Sequence, residues 1–210
     1  MSMTYNSLIT QVLAYLDRTD FETTEQIPNF INQAEQRLSR ESKSIGFESY
    51  VNGVFTAGLP VLQKPGRWRR TVSFSYGTGE TFNTSKQLYL RSYEYLRSYW
   101  PTEVEQGVPL YYSDYGYNNY LIAPTPDQNY PFQICYLELP EPLSITNQTN
   151  WLTFFAPDAL LYATLLEAIP FLKNDERIPL WQSLYDRALK SLNLQDDMRL
   201  LDRASNRSAD

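Results

Sequence analysis

The feature that most constrains this chain is a change of texture along it. Apolar residues recur at helical spacing at both ends, and the middle breaks into short aromatic runs separated by turn residues. Near the start, Tyr5, Leu8, Ile9, Val12, Leu13 and Leu16 recur at spacings of three and one, which predicts an amphipathic helix with Thr4 as its N-cap. A second helix is expected from about Pro28 to Ser42, because Pro fits a first turn and Phe30, Ile31, Ala34 and Leu38 share one face. The two read as an antiparallel hairpin.

Between Phe47 and Ile145, the runs YVNGVF, TVSFSY, QLYLRS, NNYLIA and FQICYLEL predict strands, with turns at GTGE, NN and TPDQNYP. Within this region SYEYLRSYW reads as a short helix or a strand ending at Pro101, with Tyr95, Leu96 and Tyr99 turned inward. Helical spacing returns after Trp151. PDALLYATLLEAIPFL opens with Pro157 and Asp158 in a first turn and is apolar on almost every side, which predicts a central helix. The stretch RIPLWQSLYDRALKSLNL then puts Trp181, Leu184, Tyr185, Ala188, Leu189 and Leu192 on one stripe, with Asp175 as N-cap and Pro179 in the first turn.

Neither helical end is long enough to enclose a core separately, so the economical fold is α+β. A helical bundle formed by the N- and C-terminal helices carries an inserted antiparallel β domain. The expected divisions are 1–46 for an N-terminal helical hairpin, 47–145 for the β domain, 146–194 for a C-terminal helical pair completing the bundle, and 195–210 for a tail. A chain of 210 residues can bury one substantial core or two small ones.

Composition narrows the function. Tyrosine is abundant, with 17 Tyr against 10 Phe and 4 Trp, and suits surfaces that are apolar on one side and wet on the other. A net charge of -6 argues against a scaffold that grips a phosphate backbone. The densest basic patch, Arg67, Arg69 and Arg70 around Trp68, reads as intersubunit or intrachain pairing in preference to phosphate contact. The chain has no histidine, which removes His-based triads and zinc sites. Its one cysteine, Cys135, lies in an apolar run and reads as a core residue. The first residues resemble no leader peptide, and no stretch reaches the roughly 18 apolar residues of a membrane span. A soluble protein made in a cytoplasm is the expectation.

Motifs that carry chemistry are scarce. Phosphate-cradling glycine motifs and the nucleophile elbow are missing. Paired carboxylates could hydrolyse a glycan, but nothing selects a pair; Asp114, in YYSDYGYNNY, is the least poor candidate. That tyrosine run could stack on sugar rings, or form a β-hairpin whose tyrosines pair across strands or pack on a neighbouring subunit, with Tyr112, Tyr115 and Tyr117 as candidate intersubunit or tail contacts. Glu167 stands out in LLYATLLEAIPFL; if buried it must find a partner or have its pKa raised, and it should either be exposed at a bundle edge or pair with an arginine such as Arg177 or Arg187. The terminal QDDMRLLDRASNRSAD reads either as a solvated end or as a segment that orders on docking, with Met198, Leu200 and Leu201 as anchors and Arg199, Arg203 and Arg207 pairing to carboxylates.

TNWLTFFAPDALLYATLLEAIPFLKNDERIPLWQSLYDRALKSLN, together with LYLRSYEYLRSYWP, GVPLYYS, ITQVLAYLDR and INQAEQRLSR, resembles the adaptor (connector) proteins at the head-to-tail junction of short-tailed phages and their relatives. The resemblance runs from Tyr5 to about Asn193. It implies a structural virion protein without enzymatic activity, catalytic residues, metal or cofactor. It further implies a homo-oligomeric ring of about twelve subunits at the virion neck, bound to the portal protein, extending the DNA channel without sequence-specific binding, and offering a platform for tail nozzle or fibre proteins. By analogy with related adaptors, portal docking falls on the segment from Met198 to Asp210. A tail-associated glycan hydrolase and a receptor-binding tail module are the rival readings.

Overall fold

The computed structural model describes residues 3–18, 20–42, 45–77, 85–172 and 176–205, without the side chains of 45 and 196–205. The fold is α+β, and the chain divides into a helical unit, 1–47 with 139–210, and a β unit, 48–138.

In the helical unit, α1 (Tyr5–Leu16) starts at a reciprocal capping box. The Ser7 N–H donates to Thr4 Oγ1 at 3.2 Å, and the Thr4 N–H donates to Ser7 Oγ at 2.8 Å. Tyr5, Leu8, Val12 and Leu16 are buried, as their spacing predicts. Helix α2 (Phe21–Glu41) starts about two turns earlier than the sequence suggests, with the Asp20 carboxylate capping Thr23. Pro28 is therefore internal, and the Thr24 carbonyl loses its i+4 donor there. Pro28 is exposed while Ile27, Phe30, Ile31, Ala34 and Leu38 are buried, so its ring points away from the packed face.

Helices α4 (Trp151–Phe155), α5 (Pro157–Glu167) and α6 (Ile169–Leu172) follow, and α5 is central, packing on α1, α2, α4 and α7 (Ile178–Ser205). Its buried set Ala159, Leu160, Leu161, Ala163, Leu165 and Leu166 covers several faces, as an internal helix requires. Gly46 permits close packing: a Cβ there would lie 2.0 Å from the Trp151 ring. Helix α7 has Pro179 in its first turn, and its backbone remains helical through Ser205, so residues 195–205 continue α7 instead of forming a separate tail. Asp175, the expected cap, lies outside the described residues, as does most of the GTGE turn.

Among the described residues, the β unit is two four-stranded sheets and a small third. The first has the order β1 (Glu48–Phe55), β10 (Tyr130–Glu138), β3 (Trp68–Gly77), β4 (Ser85–Gln87); the second has the order β2 (Val61–Gln63), β8 (Asn119–Ala123), β7 (Tyr111–Tyr115), β5 (Tyr89–Leu90). The third joins β6 (Gln106–Gly107) to β9 (Thr125–Pro126). Most pairs are antiparallel, but β5 with β7 and β6 with β9 are parallel, so the inserted unit is not antiparallel throughout. Phe55, Phe74, Tyr76, Phe132 and Ile134 from one sheet and Tyr112, Tyr120 and Ile122 from the other form one buried cluster. Gly53 belongs to it by necessity, because a Cβ there would lie 2.4 Å from Cζ of Phe132.

Residues 139–145, grouped with the strands on sequence grounds, belong to the helical unit. The Leu143 N–H donates to both Glu35 oxygens, at 3.3 and 3.2 Å, which fastens this returning segment to α2. The helix α3 (Tyr93–Tyr99), capped by Ser92 and followed by Pro101, buries Leu96 against Leu121 and Ala123. Tyr95 packs beside it, but Tyr99 is 62% exposed and does not turn inward.

Candidate interaction surfaces

Alternation along β7 divides its side chains between two environments. Tyr112 faces the intersheet core, 6% exposed, with Phe74 and Tyr120 rings at 5.2 and 5.7 Å. Of the two alternatives for Tyr112, the structure shows the across-strand one: its ring meets Tyr120 of β8 and is enclosed within the unit. Tyr115 points to the opposite face and stacks on Tyr93 of α3 at 5.8 Å, and Tyr117, in the following turn, is 83% exposed. Gly116, at φ 69°, supplies the left-handed residue that this turn needs.

On that outer face, α3 and its neighbours make an aromatic ledge. Tyr95 lies near Tyr99 and Tyr111, and Trp100 lies near Tyr111. Arg91 sits over the Tyr95 and Tyr111 rings at 5.7 and 5.6 Å. Arg97 covers Tyr93, donates to its hydroxyl at 3.3 Å, and pairs with Glu103. Tyr89, Leu90, Val104 and Leu110 are also exposed. Tyrosine, tryptophan and arginine brought together in this way are the residue types that dominate protein interfaces. An open depression of about 510 Å³ beside the ledge is lined by Leu90, Arg91, Ser92, Tyr93 and Asp114.

Asp114, the carboxylate singled out from sequence, lies on the inward side of β7, opposite Tyr120. It is bound by Lys64 at 2.8 Å. The Lys64 side chain is only 4% exposed, and its ammonium lies 3.8 Å from the Trp68 ring centroid and 5.2 Å from that of Tyr120. Two aromatic faces and a carboxylate satisfy this buried charge, so the Lys64 cage fixes the hairpin instead of activating Asp114. Burial pushes the Tyr120 phenol well above its ordinary range, and its hydroxyl shares a 2.6 Å hydrogen bond with Thr71.

The basic patch is likewise committed in part within the chain. Arg67 pairs with Glu138 at 2.6 Å, and the Trp68 indole donates to Thr71 Oγ1 at 3.1 Å. Arg67 and Arg70 are exposed, and Trp68 and Arg69 are half-buried, at the start of β3.

In the helical unit, Glu167 is half-buried and pairs with Arg37 of α2 at 3.2 Å, not with Arg177 or Arg187. Arg37 also binds Glu41 at 3.0 Å and lies over the Tyr185 ring, and the Tyr185 hydroxyl donates to Glu41 at 2.6 Å. One guanidinium thus ties α2, α5 and α7 together. Arg177 instead donates to the Tyr15 and Leu16 carbonyls, where the end of α1 leaves acceptors without intrahelical donors.

Glu35 is the residue that sequence reasoning misses most clearly. It is 5% exposed, accepts from Leu143 as described, and accepts from Asn150 Nδ2 at 2.6 Å. Burial pushes its carboxyl up to about 7, against the lowering effect of the Leu143 and Asn150 donors. A signal for it exists in the sequence: Glu35 lies four residues after Ile31 and three before Leu38, on the apolar stripe itself.

Cys135 is buried within β10. Among the described residues, no group of three or more acidic or cysteine side chains is placed to hold a metal, and no helix is long and apolar enough to cross a membrane. Met198, Arg199, Leu200, Leu201 and Arg203 lie on the helical backbone of α7, their side chains outside the described residues, and Arg207 lies wholly outside them.

The class to which the chain is assigned is that of structural adaptors. A family model described as SU10 adaptor protein matches residues 3–209, and the chain belongs to that family of phage adaptor proteins. It is accordingly a virion structural protein, of a kind that is not enzymatic. No curated protein matches the chain.

Proposed function

We propose that this protein forms the head-to-tail adaptor ring of a tailed phage. The ring, of about twelve copies, binds the portal protein at the neck, extends the DNA channel, and gives the nozzle or fibre proteins their attachment platform. The family match from residue 3 to 209 carries this reading. Two physical features support it. The net charge of -6 favours a wall along which DNA slides over one that grips it. The aromatic ledge of the β unit, with Tyr93, Tyr99 and Arg91 exposed and Trp100 half-buried, supplies contact residues for a partner protein. Portal docking falls to the end of α7 and the residues after it, with Met198, Leu200 and Leu201 as apolar anchors and Arg199, Arg203 and Arg207 as charge partners. Arg67, Trp68, Arg69, Tyr115 and Tyr117 serve contacts between subunits or with tail components. The protein catalyses no reaction in this role.

The test is to mix the purified chain with its cognate portal and image the mixture by electron microscopy. Rings capping one end of the portal are expected. Two folded proteins that fail to associate at micromolar concentration would remove the proposal. Sugar release from host polysaccharide, lost on Asp114→Asn, would favour the hydrolase; adsorption of the isolated chain to host cells would favour the receptor-binding module.

A further inference from the structure

Three loops of the β unit, residues 56–60, 101–110 and 124–129, meet at one end. The parallel pair of β6 with β9 joins two of them, and the Gly58 N–H ties in the third by donating to the Pro126 carbonyl at 2.8 Å. The Asp127 N–H donates to the Gly107 carbonyl at 3.3 Å, and the Ala57 N–H donates to Asn129 Oδ1 at 3.0 Å. The cluster lies where β1 ends at Phe55 and β10 begins at Tyr130, opposite the end at Glu48 and Glu138 where the chain enters and leaves the unit.

This tip is apolar where solvent meets it. Val104 is 83% exposed, and Leu59, Val108 and Leu110 are exposed as well. Apolar side chains gathered on a held surface mark a place where another molecule sits. The backbone is already fixed, with Pro60, Pro109 and Pro126 buried within the cluster, so little chain entropy is lost on contact.

Charge narrows the choice of occupant. The three loops carry Glu103, Glu105 and Asp127 and no lysine or arginine. Arg97 of α3 reaches Glu103 at 3.6 Å, and the Tyr130 hydroxyl donates to Asp127 at 2.7 Å. Among the described residues, no cation pairs with Glu105 or Asp127. A phosphate backbone is repelled by such a surface. A second copy of a chain with net charge -6 complements it poorly. A protein face with Lys or Arg around an apolar centre complements it in both respects.

We propose that this loop cluster is the platform on which the next tail protein docks, through a face of that protein that is apolar at its centre and basic at its rim. The inference rests on the adaptor reading above and gives the tail contact a place and a partner chemistry; the portal contact proposed for α7 lies in the other unit.

A phage deleted for this gene, supplied with the chain from a plasmid, tests it. Val104→Lys, Val104→Glu and, as a control on α2, Glu25→Lys are compared with wild type. Both positions are exposed, so circular dichroism and melting of the purified chains should match wild type. Both Val104 variants lose the apolar contact, but only the lysine repels a basic partner. Val104→Lys should give heads that carry the adaptor, seen by labelled antibody, but lack the distal tail, with infectivity reduced at least about 100-fold. Val104→Glu should be at least about 10-fold less impaired than Val104→Lys, and Glu25→Lys should give complete tails. Complete tails on Val104→Lys particles overturn the inference, and so do equal defects in the two Val104 variants or tail loss in the Glu25→Lys control. Heads of Val104→Lys without adaptor, when the purified chain is folded, also overturn it, because the cluster then serves the ring or the portal, and the adaptor reading stands. Wild-type chain absent from the junction removes both readings.

Discussion

Glu35 carries the sharpest consequence at the scale of single residues. Its carboxyl titrates near 4.5 in an unfolded chain and is pushed up to about 7 by burial in the fold. The folded state therefore binds more protons than the unfolded state between these values. The contribution of Glu35 to stability is complete below about pH 4.5 and is lost as pH rises through 7. Urea unfolding at pH 5 and pH 8 should show wild type losing more stability on the alkaline side than Glu35→Gln, which cannot titrate. Equal losses in the two proteins would contradict the burial argument. Glu35→Ala also removes the acceptor for Leu143 and Asn150 and should cost about 1–3 kcal/mol at pH 5. Lys64 gives a second case: Lys64→Ala empties the space between Trp68, Tyr120 and Asp114 and should destabilise the β unit by about 1–2 kcal/mol. Lys64→Met, which keeps the apolar stem, should recover part of that loss in the same urea titration.

Among the elements, Gly53 of β1 is a tightly packed position, and Gly53→Ala should cost about 1–3 kcal/mol because the Phe132 ring must move while it is held by Phe55 and Phe74. A thermal melt checks this, and an unchanged midpoint would show that the ring yields freely. Truncation before Met198 tests the other end of the chain. It shortens α7 beyond its buried residues Trp181, Tyr185, Ala188 and Leu192, so the circular dichroism signal per residue and the melting behaviour should hardly change while portal affinity falls. Undiminished affinity would move the portal contact elsewhere.

The same elements show what the sequence can express. α1, α5 and α7 are readable because each is defined by its own apolar spacing or by its lack of a polar side. The first two turns of α2 are not, since Phe21 there is exposed and a buried Thr23 under the Asp20 cap replaces the apolar signal. Strand positions are readable from composition, but β10 lying between β1 and β3 is not, because that order depends on contacts 56 to 89 residues apart in the chain. Within the tyrosine run, which side chain is core and which is surface follows from the inward or outward phase of β7, and a uniformly aromatic sequence hides that phase. The partner of Glu167 is hidden for a related reason: Arg37 is 130 residues away in sequence, and Arg177, which lies closer along the chain, is occupied at the end of α1.

For the whole molecule, the two units divide the work. The helical unit is knit by Arg37, Glu35 and the central α5, and the β unit exposes aromatic rings and an arginine-rich strand start. That division suits a subunit whose frame is fixed and whose surfaces are met by copies of itself, the portal and the tail. The central claim is that the chain belongs to the neck of a virion as part of a ring. Gold-labelled antibodies against the purified protein, applied to intact and tail-stripped particles and viewed by electron microscopy, test it most directly. The account predicts label at the head-to-tail junction, kept on heads that retain the portal after the distal tail is removed. Label confined to fibre tips or the distal tail, with none at the junction once the tail is stripped, would contradict it.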